Sequence, residues 1–160
     1  MYLGYAANSH YSQRGNGANF VCLSNDPEWP DGVTSVLEPW TARIHGVEYE
    51  FPTVLDSSLH NNEVPCAACK VSGRGQQLMI PGKRSCPQNW TKEYEGVLVS
   101  QRHDYKKSNF ICVDKDAEGL SGGEVNDDGN LIYAVQVVCG ALQCPPYSTG
   151  KEIACVVCSI

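Results

Sequence analysis

The chain has 160 residues, a length that suits one domain, with 12 lysines and arginines against 18 acidic residues and a net charge of −6. That balance argues against nucleic acid or an anionic membrane as partner, because both reward clustered basic charge. No apolar run reaches the length needed to cross a bilayer, so membrane insertion is not expected either.

Glycine and proline are scattered along the chain, 15 and 9 of them, and they punctuate short apolar segments. This is a β pattern rather than a helical one. In chain order the expected strands are Asn19–Leu23, Val33–Leu37, Glu48–Phe51, Leu78–Ile80, Glu93–Gln101, Asn109–Val113, Leu131–Val138 and Lys151–Cys158. The segments Glu93–Val99 and Leu131–Val137 are rich in aromatic and β-branched residues, which fit a pleated surface. Asn126-Asp127-Asp128-Gly129-Asn130 reads as a turn that opens a hairpin strand. Pro27, Pro30 and the pair Pro145-Pro146 forbid helix around them. No linker composition and no internal repeat of fixed period divides the chain. The expected architecture is mainly β: a single compact antiparallel domain over residues 1–160, cross-linked by disulfides and carrying long ordered loops.

Nine cysteines stand at positions 22, 66, 69, 86, 112, 139, 144, 155 and 158. So many thiols imply either metal ligation or a disulfide framework. A tetrahedral zinc site would use the two C-x-x-C pairs, Cys66-Ala67-Ala68-Cys69 and Cys155-Val156-Val157-Cys158. The pairs are too far apart for a zinc ribbon, and two valines between Cys155 and Cys158 suit a strand better than a knuckle. The expectation is therefore disulfides among Cys22, Cys66, Cys69, Cys86, Cys112, Cys139, Cys144, Cys155 and Cys158, with connectivity undetermined. An odd count leaves one thiol free or joined to a second chain, and a disulfide-linked dimer is the expected homo-oligomer. Together these features imply a secreted, extracellular protein. The opening Met1-Tyr2-Leu3-Gly4 is no signal peptide, which would fit a mature form. Asn89-Trp90-Thr91 is an N-glycosylation sequon.

Catalytic patterns are not evident: there is no G-x-S-x-G elbow, H-E-x-x-H helix, phosphate loop or dinucleotide fingerprint. His10, His45, His60 and His103 all have polar, loop-like surroundings. No cofactor is expected. Calcium is the one candidate, at Asp114–Gly119 or Asn126–Asn130, where oxygen ligands alternate but neither segment completes an EF-hand. The segment Ser9–Phe20 concentrates hydrogen-bonding side chains around Gly15 and Gly17, and Asn25-Asp26-Pro27-Glu28-Trp29 follows it. Amides and carboxylates for hydroxyl groups, with an indole against the apolar face of a sugar ring, make a saccharide site. Trp29, Trp40 and Trp90 are the candidate platforms. The plainer reading makes Trp29 and Trp40 core residues and the glycine segment an ordinary loop.

The residues Gly4-Tyr5-Ala6, Ser9-His10-Tyr11, Gly15–Leu23 and Asp26–Trp29 resemble the opening of the non-collagenous domain of sponge short-chain collagens. The likeness continues through Val64–Cys69, Leu78–Pro81, Ser85-Cys86-Pro87, Trp90–Gly96, Cys112-Val113-Asp114, Val138-Cys139-Gly140, Cys144–Tyr147 and Cys155–Cys158. Galactose-specific sponge lectins of the Axinella type are similar in this domain. The resemblance implies a soluble extracellular lectin that binds galactose-containing glycans, is multimeric and agglutinates cells without chemical change. His10, Asn19, Asp26, Glu28 and Trp29 are the expected carbohydrate-binding residues, with the carboxylates accepting from hydroxyls and Trp29 stacking. No Gly-X-Y tract is present, so the collagen role does not carry over. Relatives often carry a further cysteine upstream of the Tyr-x-Gly motif, which would account for the odd count. The alternative is a structural extracellular-matrix module that assembles without a sugar ligand.

Overall fold

The computed structural model describes residues 1–32, 35–51 and 53–160. Nine strands form one sheet: β1 (Tyr2–Asn8), β2 (Val21–Ser24), β3 (His45–Tyr49), β4 (Pro65–Ala68), β5 (Gln77–Pro81), β6 (Thr91–Ser100), β7 (Ile111–Asp114), β8 (Asn130–Ala134) and β9 (Ala154–Ser159). The continuous path runs β2-β1-β3-β8-β6-β9-β5, with β4 joining β1 and β7 joining β6. Every pairing between these strands is antiparallel except β3 with β8, so the expected antiparallel sheet is in fact mixed.

The registers expose an organisation that a search for a fixed period does not find. β1 pairs with β2, β3 and β4, and β6 pairs in the same way with β7, β8 and β9. Gly4 faces Cys66 in β4, and Gly96 faces Cys155 in β9. Ala6 faces Cys22 as Leu98 faces Cys112, and Asn8 faces His45 as Ser100 faces Tyr133. The isolated bridge Glu48–Glu63 has its counterpart in Gln136–Glu152. Even the tyrosine hydroxyls agree: Tyr2 donates to the Cys22 carbonyl at 2.8 Å and Tyr94 to the Cys112 carbonyl at 3.1 Å. Residues 2–69 and 94–158 are thus two copies of one four-stranded unit, and β5 lies outside both.

Each copy is fastened in the same way. The Cys22–Cys66 and Cys112–Cys155 disulfides join the two strands that flank the central strand, crossing it near Gly4 and Gly96. Only glycine fits there. A Cβ at Gly4 would lie 1.8 Å from the Leu23 carbonyl oxygen, and one at Gly96 would lie 1.7 Å from that of Val113. Of two further bridges, Cys139–Cys144 lies within the second copy and Cys86–Cys158 ties it to the segment that precedes it. Cys69 is exposed and unpaired. Its counterpart Cys158 is bonded to Cys86, eight positions before Tyr94. Four disulfides are consistent with an extracellular protein.

The two copies share a core. Val47, Tyr49 and Phe51 of the first pack with Val99, Val113 and Ile132. Burying Ile132 completely contributes about 2 kcal/mol from apolar transfer. A second cluster around Leu98, Cys112, Cys155 and Val157 confirms that Cys155-Val156-Val157-Cys158 lies in a strand, β9.

Some expected strands differ. Val33 and Thr34 lie outside the described residues, and Ser35–Leu37 form a bend with Val36 and Leu37 exposed. Leu131–Val138 is a strand only to Ala134, although Val135 and Val137 remain hydrogen-bonded to Leu98, Ile153, Lys151 and Gly150. β1 and β4 were not expected, because Ala and Gly in Tyr2–Asn8 and Pro-Cys-Ala-Ala in Pro65–Ala68 have weak strand propensity.

Candidate functional site

Because the copies repeat, so do their hairpin loops, residues 9–20 and 101–110, and the fold sets these two loops against each other. The Lys106 N–H donates to the Tyr11 carbonyl at 3.0 Å, and the Asn109 N–H to that of Ala18 at 3.1 Å. Asn109 Nδ2 donates to Asn19 Oδ1 at 2.6 Å, so equivalent asparagines of the two copies join. An aromatic ladder runs across the seam. His45 meets His10 edge-on at 4.9 Å, His10 stacks on Tyr11 at 4.6 Å, Tyr11 lies 4.6 Å from Tyr105, and Tyr105 lies 6.0 Å from Tyr133.

One ion pair lies against the ladder. The Arg102 guanidinium lies 4.2 Å over the Tyr105 ring, a cation–π arrangement. Asp104 accepts from its Nε and Nη2 at 2.6 and 3.0 Å. These hydrogen bonds hold the arginine pKa up and the Asp104 pKa below the usual carboxylate range. Burial lowers the His45 pKa, with the charges of His10 and Arg43 adding to the effect, so its ring is neutral at pH 7. His45 Nε2 is buried without a hydrogen-bond partner, unlike the solvated loop histidine expected from sequence. Burial, then the nearby Glu50 charge, pushes the Tyr133 hydroxyl above the ordinary tyrosine value.

Beside the ladder, in the second copy, opens a cleft of about 630 Å³. Tyr105, Tyr133 and Phe110 form its aromatic wall, and Arg102, Lys106 and Lys107 give it a positive rim in an otherwise acidic protein. Neither lysine takes part in an ion pair among the described residues. Gln101 lines the same cleft, and both its Nε2 and its Oε1 are buried without a partner. Such an amide is costly to bury unless a ligand or solvent meets it, by about 1–3 kcal/mol.

The five expected carbohydrate-binding residues fall into two groups. His10 and Asn19 belong to the first hairpin loop and take part in the seam. Asp26, Glu28 and Trp29 follow the other end of β2, where the Asn25 N–H donates to the Leu3 carbonyl. No hydrogen bond, ion pair or ring contact joins the two groups among the described residues. Asp26 is anchored through its backbone, which exchanges hydrogen bonds with the Ser24 hydroxyl. Trp29 is 75% exposed and Trp40 91%, so neither is core. Both stand on the connection 25–44, which joins β2 to β3 and is held at its far end by the Arg43 N–H donating to Asn16 Oδ1 at 2.7 Å.

At the first calcium candidate two of the carboxylates are otherwise engaged. Asp114 Oδ1 caps its own turn through the Asp116 N–H, and Asp116 pairs with Lys115. No three His, Cys, Asp or Glu side chains converge as a metal site among the described residues. Asn89 of the sequon sits in an exposed turn with φ 70°. Sequence reasoning passed over Gln101, Tyr105 and Tyr133. The signal available for them was the cluster Arg102-His103-Asp104-Tyr105-Lys106-Lys107, which carries three of the 12 basic residues. No known protein-family profile matches the chain, and no solved structure matches its fold.

Proposed function

We propose that the protein is a secreted lectin that binds galactose-containing glycans without chemical change. The observation that carries this reading is the exposure of Trp29 and Trp40, two indoles held in solvent on one long connection whose sequence also carries Asp26, Glu28, Asp31 and Glu38. Long connections between strands are where binding groups are commonly carried. A ring face offers the apolar side of a sugar a stacking surface while the carboxylates accept from its hydroxyls. His10 and Asn19, at the other end of β2, would belong to a separate contact rather than the same monosaccharide pocket.

Single monosaccharide sites bind weakly, so agglutination requires several per particle. A disulfide-linked dimer through Cys69 supplies the second site. The test is galactose-competed haemagglutination together with a glycan array. Agglutination should be lost in Trp29→Ala and Asp26→Ala while thermal stability is retained, since both residues are exposed. A non-reducing gel should show a dimer that collapses with reductant. The absence of binding to any glycan would remove the lectin reading. The exposed thiol of Cys69 favours one alternative, a matrix module that assembles without sugar. Its signature is the covalent oligomer with no sugar-dependent agglutination.

A further inference from the structure

The duplication lets one half of the molecule report on the other. In the first copy, the outer edge of β3 is covered by Asn130–Ile132, which runs parallel to it. The Glu50 N–H donates to the Ile132 carbonyl at 2.9 Å, and the segment leans on the first hairpin loop. There the Tyr11 N–H donates to the Gly129 carbonyl at 3.1 Å and Asn130 Nδ2 to the Ser9 carbonyl at 2.6 Å. Just upstream, the N–H groups of Asp127 and Asp128 donate to Glu48 Oε2.

In the second copy the residues equivalent to Glu48 and Glu50 are Gln136 and Val138. Their inner neighbours agree with this alignment, since Val137 donates to the Lys151 carbonyl as Tyr49 donates to that of Asn62. Yet the outer edge here is bare. Among the described residues the backbone N–H groups of Gln136 and Val138 have no hydrogen-bond partner, and Val138 is 75% exposed. An unpaired edge is a template for an added strand. It opens on the cleft described above, whose lining includes Gln136, Val138 and the hairpin loop that corresponds to the one supporting Asn130–Ile132.

We propose that this edge and cleft receive an extended, acidic-headed segment of a partner polypeptide, added parallel to Gln136–Val138 as Asn130–Ile132 is added to β3. Charge selects the occupant. Glu48 and Glu50 are replaced by Gln136 and Val138, and the loop contributes Arg102, which Asp104 already holds, and the unpaired Lys106 and Lys107, where the longer loop of the first copy has only Arg14. Asp127 and Asp128 precede the covering segment in the first copy, and acidic residues at the head of an equivalent segment would meet the unpaired Lys106 and Lys107 of the cleft. Gln101, which replaces Ser9, brings an unpaired amide to the spot where a side chain equivalent to Asn130 would arrive. This inference is independent of the lectin reading.

The probe is a synthetic peptide with the sequence of residues 125–134, titrated into the intact, oxidised protein and followed by amide hydrogen exchange and fluorescence anisotropy. The expected result is saturable binding with at least tenfold slower exchange at the Gln136 and Val138 N–H groups. Binding should weaken with salt, and Lys106→Glu with Lys107→Glu should reduce affinity at least tenfold. Val138→Pro, at an exposed position whose N–H is free, should abolish binding by removing a donor. Three results would overturn the proposal. One is saturating peptide without protection at those two amides. Another is a sulfated oligosaccharide perturbing the cleft when the peptide does not. The last is protection that rises with protein concentration in the absence of peptide, which would assign the edge to a second copy of this chain.

Discussion

Replacing Cys22 and Cys66 together by alanine removes the bridge over Gly4 without leaving a new thiol. The sequence separation is 44 residues and no other bridge encloses or crosses that loop. The chain-entropy relation then gives a loss of about 4 kcal/mol at 25 °C. Both cysteines are half-buried rather than core, so little packing energy is added to that figure. The same change at Cys139 and Cys144, separated by 5 residues, should cost about 2 kcal/mol. For a domain of this size the expected falls in Tm are about 8–16 °C and about 4–8 °C respectively. Guanidinium unfolding of both double variants, with the remaining bridges intact, measures the difference directly. Equal losses, or a larger one at Cys139 and Cys144, would refute the assignment of Cys22–Cys66 as the fastening of the first copy.

Two further outcomes follow from packing and burial. Gly96→Ala should destabilise by about 3 kcal/mol or more, since the new methyl group meets the Val113 carbonyl. Gly46→Ala, where no atom lies within 4 Å of the new group, should be nearly neutral, and thermal melts of the two variants compare them. Glu48 is 2% exposed; burial raises its pKa, partly offset by the N–H groups of Asp127 and Asp128, and burial raises that of Glu50 as well. A raised carboxyl pKa makes the folded state the better proton binder, so stability is lost as pH rises from the ordinary carboxyl value through the raised one. Glu48→Gln should therefore stabilise the protein at pH 7 and much less at pH 4, and an equal effect at both pH values in thermal unfolding would contradict the assignment.

The sheet was legible where its residues are β-branched or aromatic. The middle of β6, from Glu93 to Val99, and Val156-Val157 in β9 announce themselves. β1 did not, because Gly4 is required by the close approach of the Leu23 carbonyl and, with Ala6 and Ala7, reads as weak strand propensity. The duplication was concealed for a different reason. Between copies the offset is 92 residues at Gly4 and Gly96, 90 at Cys22 and Cys112, 88 at His45 and Tyr133, and 89 at Cys66 and Cys155. Loops of unequal length erase a fixed period while the hydrogen-bond register survives. The site suffers the same blindness. Asp26, Glu28 and Trp29 are close in sequence to Asn19, yet β2 carries them to its opposite end. Tyr11 and Tyr105 are far apart in sequence and touch only because the two hairpins face each other.

All four bridges close within a single half: Cys22–Cys66 before residue 70, the other three after it. What unites the halves is the ladder between β3 and β8, the shared apolar cluster, the loop seam, the hydrogen bonds of Glu48, Tyr49 and Glu63 to residues 118–128, and one peptide connection between β4 and β5. A proteolytic nick in that connection would yield two separately cross-linked fragments that stay associated in native buffer and part in denaturant without any reductant.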